Sequence, residues 1–352
     1  MMAAETLATA LRRLSRESEL YDKQGDGLVR CHACGHECLI AEGKTGICRV
    51  RFNRGGRLMV PFGYVSGLRV DPIEKKPFFH VLPGEPTLSF GMLGCNFSCK
   101  FCQNWLSSQA LRDPQAGSDI WECTPQSIVD RAREGRCRVI VSTYNEPLIT
   151  SEWAAAIFRI GREAGLRGAY VSNGHATRQV LEYLRPVTDF YKVDLKCFDH
   201  SKYREITGGA MRHVLRSIED IKSLGFWLEV VTLVIPGWND SDWELRSIAR
   251  FLAGISPDIP WHATAYHQDY RMPESRDTPA ETLLRAVEIG RAEGLRFVYA
   301  GNLPGRLPGG EDTLCPSCAK RLIERRGFTV QANRLRDGKC PDCSTEIPGI
   351  WK

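Results

Sequence analysis

Between residues 81 and 310, short apolar runs alternate with stretches in which apolar residues recur every three or four positions. The runs are "TLSFGML", "RVIVSTY", "GAYVSN", "DFYKVDLK", "FWLEVVTLVI", "WHATAY" and "RFVYA". Rich in β-branched and aromatic residues, they are expected to be buried strands. Between the first two, "QSIVDRAREG" follows Thr124 and Pro125, an N-cap and first-turn pair, and stops at Gly135, which predicts a helix. "SEWAAAIFRIGREAG" reads as a second helix ending at glycine. Strands alternating with helices imply a parallel sheet, because each parallel connection needs a crossover. Six or seven such units are too many for a small flavodoxin-like sheet and point to a complete or partial barrel. Ligands bind such folds at the carboxyl ends of the strands. Every unusual polar motif in this segment follows a predicted strand end.

The flanks differ. Residues 1–80 are expected to form an N-terminal helix and a cysteine-rich metal-binding extension, residues 81–310 the main α/β domain, and residues 311–352 a small module after the Gly/Pro-rich "GNLPGRLPGGED". "MMAAETLATALRRLSRESELYDK" scatters Arg and Glu through its apolar positions, which predicts an amphipathic helix rather than a signal peptide. With 43% hydrophobic and 25% charged residues the composition is that of a soluble globular protein, and no apolar run is long enough to span a bilayer. A cytoplasmic protein without membrane association is therefore expected. The net charge of +5 is modest, but residues 313–352 carry eight Lys/Arg against four Asp/Glu. A basic tail of this kind suits RNA, an acidic partner protein, or solubility alone.

Fourteen cysteines in a reducing compartment argue for metal or catalytic thiols rather than disulfides. They fall into three groups: Cys31, Cys34, Cys38 and Cys48; Cys95, Cys99 and Cys102; and Cys315, Cys318, Cys340 and Cys343. Cys123, Cys137 and Cys197 stand alone and are expected to be inert small hydrophobes. The middle group lies in "GCNFSCKFCQNW", directly after the first predicted strand. A structural zinc ion takes four protein ligands, and a [4Fe–4S] cluster normally takes four cysteines. Three thiolates leave one metal position open. From spacing alone, either a cluster with one free iron or a zinc site with a distant fourth ligand fits.

The C-x3-C-x2-C spacing, with Phe101 before the last cysteine, resembles the signature of the radical S-adenosylmethionine (SAM) superfamily. The resemblance implies a partial (β/α)6 TIM-like barrel and a [4Fe–4S] cluster on Cys95, Cys99 and Cys102. The open iron of that cluster chelates the methionyl end of SAM, and reduction breaks a carbon–sulfur bond. An electron donor such as flavodoxin or ferredoxin is implied as well. Tyr144, Asn145, Glu146 and Pro147 occupy the place of the superfamily's Gly-Gly-Glu-Pro motif, with both glycines replaced, and Glu146 is implied as acceptor for the SAM ammonium. "YVSNGH" resembles the segment that contacts the SAM ribose or carboxylate, through Ser172 and Asn173. His175 fits that segment or a cap on the next helix. "VIPGWND" and "WHATAYHQDY" are similar to segments near SAM in glycyl-radical-enzyme activases, and His267 matches a histidine there, whereas His262 reads as structural. Together these motifs resemble the pyruvate formate-lyase activating enzyme branch over residues 81–302. Independently of the resemblance, Asp194 and Lys196 lie two apart and so face one side of their strand. A charged pair pointing into a barrel is there for a ligand or for a structural ion pair.

At the tail, "CPSC" and "CPDC" form a zinc-ribbon pattern, with iron in a rubredoxin-like site as the alternative. The N-terminal C-x2-C-x3-C-x9-C group suits structural Zn²⁺, an auxiliary cluster, or loose thiols, and His32 and His36 are spare ligands. This group, with "GKCPDC" and "IPGIW", resembles the radical SAM component of the AmmeMemoRadiSam system, although "CHAC" precedes Gly-His where that subfamily more often has Cys-Pro. The resemblance brings in AMMECR1-like and Memo-like proteins as partners. The function expected is generation of an organic radical for modification of a protein or another substrate, including activation of a glycyl-radical enzyme. Two alternatives are aminocarboxypropyl transfer from SAM, and a metal-binding interaction protein whose clusters only hold the fold.

Overall fold

The computed structural model describes residues 6–272, 276–303 and 305–352. Its centre is an open sheet of eight strands whose spatial order follows the chain. These are β1 (Gly67–Pro72), β2 (Pro86–Gly91), β3 (Val139–Ser142), β4 (Arg167–Ser172), β5 (Phe190–Asp194), β6 (Trp227–Val234), β7 (Trp261–Ala265) and β8 (Val298–Gly301). β2 through β8 run parallel, and β1 pairs antiparallel with β2 at one edge. Each of the seven apolar runs forms one of the parallel strands. β3 is buried along its whole length, as expected of a strand covered on both faces.

Six crossovers join the parallel strands. Among the described residues, their helices longer than a single turn are α1 (Pro125–Glu134), α2 (Ser151–Glu163), α3 (Arg178–Leu184), α4 (His200–Thr207), α5 (Met211–Ser223), α6 (Asp242–Ile255) and α7 (Ala280–Ala292), with α4 and α5 sharing one crossover. α1 begins as its sequence predicts: Thr124 and Ser127 form a reciprocal capping box, and Gly135 caps the end. α2 buries Trp153, Ala154, Ile157 and Phe158 in the main core. Burial of each large side chain contributes roughly 2–3 kcal/mol, which fixes α2 and the strand ends beside it.

The N-terminal stretch departs from the helix expected of it. Met1–Glu5 lie outside the described residues. From Thr6, whose hydroxyl accepts from the Thr9 N–H, a helix covers only Leu7–Arg13. Ser15–Glu17 then pairs with the strand Leu58–Pro61, and Tyr21–Lys23 with Val29–Cys31. Long-range pairing overrides the helical pattern there. β1 falls before residue 80 in the chain yet pairs with β2 along its length, so the N-terminal extension runs into the main sheet. The two are also locked together by Arg51. Its buried guanidinium pairs with the buried Glu152 of α2 and donates to Ile149 O at 2.8 Å and Ser18 Oγ at 3.0 Å.

The tail forms a small antiparallel sheet from Thr313–Leu314, β9 (Arg321–Arg326) and β10 (Thr329–Asn333). Ile350 exchanges backbone hydrogen bonds with His80 and Leu82, at 2.8 and 2.7 Å. Arg325 is buried, stacks over Phe79 and donates to Phe79 O at 2.6 Å and Thr313 Oγ1 at 2.8 Å. Among the described residues, no helix is long and apolar enough to cross a membrane.

Candidate functional site

β2 delivers the chain into the three-cysteine loop through two constrained glycines. A Cβ at Gly91 would lie 2.8 Å from Thr143 O and 2.9 Å from Tyr144 Cβ, so β2 and the end of β3 touch there because no side chain intervenes. Gly94 then turns the chain at φ +89°, and a Cβ on it would meet Val50 Cγ1 at 2.8 Å. Arg112 shapes the loop from below, donating to Cys95 O at 2.7 Å and Phe97 O at 2.6 Å. On the far side, Ser98 N donates to Thr207 O at 2.8 Å, pinning the loop to the end of α4.

The three thiols line one cavity of about 440 Å³, together with side chains from the carboxyl ends of β3 to β7. Burial pushes all three thiols up, Cys99 to about 12, and Glu146 and Cys99 push Cys95 further. Lys196 opposes the rise at Cys99 and Cys102. Buried thiols held this high ionise only when a strong cation shares the site, and that matches the donor set of an iron–sulfur cluster.

At the end of β3, Tyr144 adopts φ +72°, a conformation that favours glycine. The backbone shape of a glycine motif is therefore kept at a position where the sequence has lost the glycine. Asn145 Oδ1 accepts from Met92 N at 3.1 Å. Glu146 is buried: its Oε1 accepts from Ser172 Oγ at 2.7 Å and Leu148 N at 3.0 Å, and its Oε2 from Asn173 N at 2.7 Å. Burial raises its carboxyl to about 7 against the opposing pull of these donors. A carboxylate has about four acceptor positions, so one remains for a ligand ammonium.

Ser172 and Asn173 act first on the protein itself. The Ser172 hydroxyl holds Glu146, while Asn173 Nδ2 donates to Asn96 Oδ1 at 2.7 Å, which ties the end of β4 to the cysteine loop. Asp194 and Lys196 do face one side, joined by Lys192, which the sequence reasoning missed. Lys192 Nζ lies 2.5 Å from Asp194 Oδ1, and Lys196 Nζ lies 3.8 Å from Oδ2. Burial opposes the charge on Lys196, but Asp194 and the cysteine thiols outweigh it and raise its pKa. Asp194 is correspondingly held below the usual range by Lys192 and Lys196 in spite of burial. Phe101 is buried between them and Trp238, its ring 5.5 Å from Lys196 Nζ and 5.3 Å from the Trp238 ring.

His267 is not among the residues lining the cavity. It is exposed and accepts a 2.8 Å hydrogen bond from Gln103, whose side chain does line it. His175 does not cap α3, a role Thr177 fills, and burial lowers its pKa to about 3. His262 pairs with the buried Glu229 at 2.7 Å. Lys76 was also missed; it lies buried on the cavity wall with Asp71 at 2.9 Å and Tyr144 Oη at 3.5 Å.

In the tail, the sulfurs of Cys315, Cys318, Cys340 and Cys343 lie within 4.8 Å of one another, with Cys315–Cys343 at 3.5 Å and Cys318–Cys340 at 3.6 Å. Four thiolates 2.3 Å from one tetrahedral ion stand about 3.8 Å apart, so this group is spaced to hold a single metal ion. The N-terminal cysteines and the three of the loop are not drawn together in this way; among the described residues, only the tail group meets that spacing.

An α/β scaffold that gathers one buried and two partly buried thiols and an elevated carboxyl at adjoining strand ends offers the donor set of a cysteine-ligated metal cluster. Residues 90–248 match the family model described as the radical SAM superfamily. The chain is 37% identical to the protein MJ0808 of Methanocaldococcus jannaschii, over 94% of this chain and 98% of that one. It is 27% identical to the isethionate sulfite-lyase activating enzyme of Oleidesulfovibrio alaskensis, over 52% of this chain and 60% of the relative. With the pyruvate formate-lyase-activating enzyme of Clostridium pasteurianum it shares 24% identity over 49% of this chain and 71% of the relative. The chain belongs to the radical SAM superfamily, and membership implies an enzyme with a [4Fe–4S] cluster and SAM.

Proposed function

We propose that this protein generates an organic radical from SAM and uses it to modify a protein or another substrate. The observation that carries the reading is the convergence of Cys95, Cys99, Cys102 and Glu146 on one cavity at the ends of β2 and β3. The three cysteines would hold the cluster and leave one iron for SAM. A reduced cluster held there would supply the single electron needed to break a carbon–sulfur bond of bound SAM, and the carbon radical so released would take a hydrogen atom from the substrate.

The chain's own residues do the positioning. Glu146 accepts the ammonium of SAM, held in place by Ser172 and the Asn173 N–H. Asn173 and Asn96 couple that acceptor to the cysteine loop. Lys196 places a positive charge beside the thiolates, and Phe101 and Trp238 shield that side from water. The open sheet is read as the partial barrel of this superfamily. The tail is read as a zinc ribbon that closes the far end of the cavity, where Phe328 and Glu311 line it.

Activation of a glycyl-radical enzyme is the specific form supported by the two activating-enzyme relatives. Modification of an AMMECR1-like or Memo-like partner is supported by the cysteine-rich flanks. A flavodoxin or ferredoxin would supply the electron. Titration of SAM into anaerobically reconstituted protein tests the site: the spectrum of the cluster should change on binding. The reading fails if SAM leaves that spectrum unchanged.

A further inference from the structure

We propose that Cys31, Cys34, Cys38 and Cys48 hold a second iron–sulfur cluster of the four-iron type, rather than a single metal ion. The backbone brings the four together: Cys31 N donates to Cys38 O at 3.0 Å, Cys34 lies in the turn between them, and Ile47 N, next to Cys48, lies 3.5 Å from Cys38 Sγ. Cys31, Cys34 and Cys48 are buried, and Cys38 is partly buried. Burial raises all four; beyond that, Cys31 and Cys48 raise Cys34, Cys31 raises Cys38, and Cys38 raises Cys48.

Two observations separate this site from the tail. The first is spacing. The tail sulfurs stand within 4.8 Å of one another, as a lone ion requires, whereas among the described residues no three of the N-terminal sulfurs do. Cys95, Cys99 and Cys102, proposed above to hold the SAM-binding cluster, likewise form no such close group among the described residues. A four-iron cluster carries each thiolate on a different iron and so holds them farther apart than one ion does.

The second is backbone shape. Each tail C-x2-C is followed by a residue in the left-handed region, Ala319 at φ 58° and Ser344 at φ 61°. Their N–H groups fold back onto Cys315 O and Cys340 O at 2.9 Å, closing a tight knuckle around the ion position. Gly35, which follows Cys34, has no positive φ, and the turn onto Cys34 O is made two residues later by Glu37 N at 3.0 Å. The N-terminal C-x2-C therefore does not wrap as a single-ion knuckle.

The donor set agrees. His32 Nε2 is bonded to Asp22 at 2.8 Å and His36 Nε2 to Asn96 O at 3.0 Å, and the four thiols by themselves supply the four ligands that a four-iron cluster takes. Donors point at the sulfurs, with Ile47 N 3.5 Å from Cys38 Sγ and Arg51 Nη1 3.9 Å from Cys31 Sγ, as is usual where protein hydrogen bonds tune a cluster. The site lies against the cysteine loop: Asn96 bonds Cys34 on one side, and its Oδ1 lies 3.8 Å from Cys95 Sγ on the other.

The test measures acid-labile sulfide and iron per chain in the full-length protein after anaerobic reconstitution. Sulfide is the deciding readout, since no metal in the tail contributes to it. About eight sulfides per chain are expected in the wild type, and about four in a Cys95→Ala/Cys99→Ala/Cys102→Ala variant. That variant should keep the paramagnetic signal of a reduced cluster, and adding Cys34→Ala and Cys48→Ala should abolish both signal and sulfide. The tail metal, retained in every variant, reports that the chain has folded. About four sulfides in the wild type and none in the triple variant, with one zinc more than the tail holds, would overturn the proposal.

Discussion

Glu146 Oε2 accepts the backbone N–H of Asn173 at 2.7 Å, and Asn173 Nδ2 donates to Asn96 Oδ1 at 2.7 Å. A single hydrogen-bonded chain thus joins the acid after β3, the end of β4 and the cysteine loop after β2. Glu146→Gln keeps the shape but replaces a charged acceptor with an amide. A hydrogen bond to a charged group contributes roughly 1.5–3 kcal/mol, so SAM affinity should fall about 10- to 100-fold. Calorimetric titration of the reconstituted variant checks this, with cluster content expected to stay unchanged.

The same carboxyl makes stability depend on pH. Burial holds its pKa near 7 in the folded apoprotein, against an ordinary value of 4.5. Between these values the folded state binds the extra proton. Its contribution is therefore full below the unfolded pKa and is lost as pH rises through about 7. The difference corresponds to about 3 kcal/mol. Urea unfolding of the apoprotein should show the wild type losing stability relative to Glu146→Gln between about pH 5 and 8. Parallel curves would show that the carboxyl is not buried as described.

Lys196 lies beside the thiols of Cys99 and Cys102 and is held charged by Asp194. Its positive charge favours adding an electron nearby. In Lys196→Met the reduction potential of the cluster should become more negative, by on the order of tens of millivolts. A redox titration followed by electron paramagnetic resonance reads this directly.

Arg51 and Glu152 are both buried and pair with each other. Removing one partner leaves a buried charge, so Arg51→Ala should cost about 3–5 kcal/mol in the unfolding free energy. The double replacement Arg51→Met/Glu152→Leu should recover much of that loss, since it leaves no charge to desolvate. Denaturant unfolding of the two variants separates the pair's geometry from simple loss of packing.

The seven parallel strands and the cysteine loop were legible in the sequence because each is a local pattern. β-branched runs, caps such as Thr124, and cysteine spacing all act within a few residues. Lys192 was visible in principle, since it shares the two-residue period of Asp194 and Lys196. Lys76 and Arg112 were not, because only the fold brings them to the cavity and the loop, and Asn96, though within the loop, gains its role only through the tertiary contact with Asn173. The N-terminal helix was read too long because its polar pattern suits a helix, while pairing with Leu58–Pro61 and Val29–Cys31 decides the outcome. Tyr144 shows the converse: the sequence departs from the glycine motif, yet the backbone keeps its conformation.

The most direct test of radical chemistry at this site is product analysis after reduction of the anaerobically reconstituted protein with SAM. The account predicts 5′-deoxyadenosine and methionine from the wild type, and neither from Cys99→Ala. Methylthioadenosine in place of 5′-deoxyadenosine would contradict it and assign aminocarboxypropyl chemistry instead.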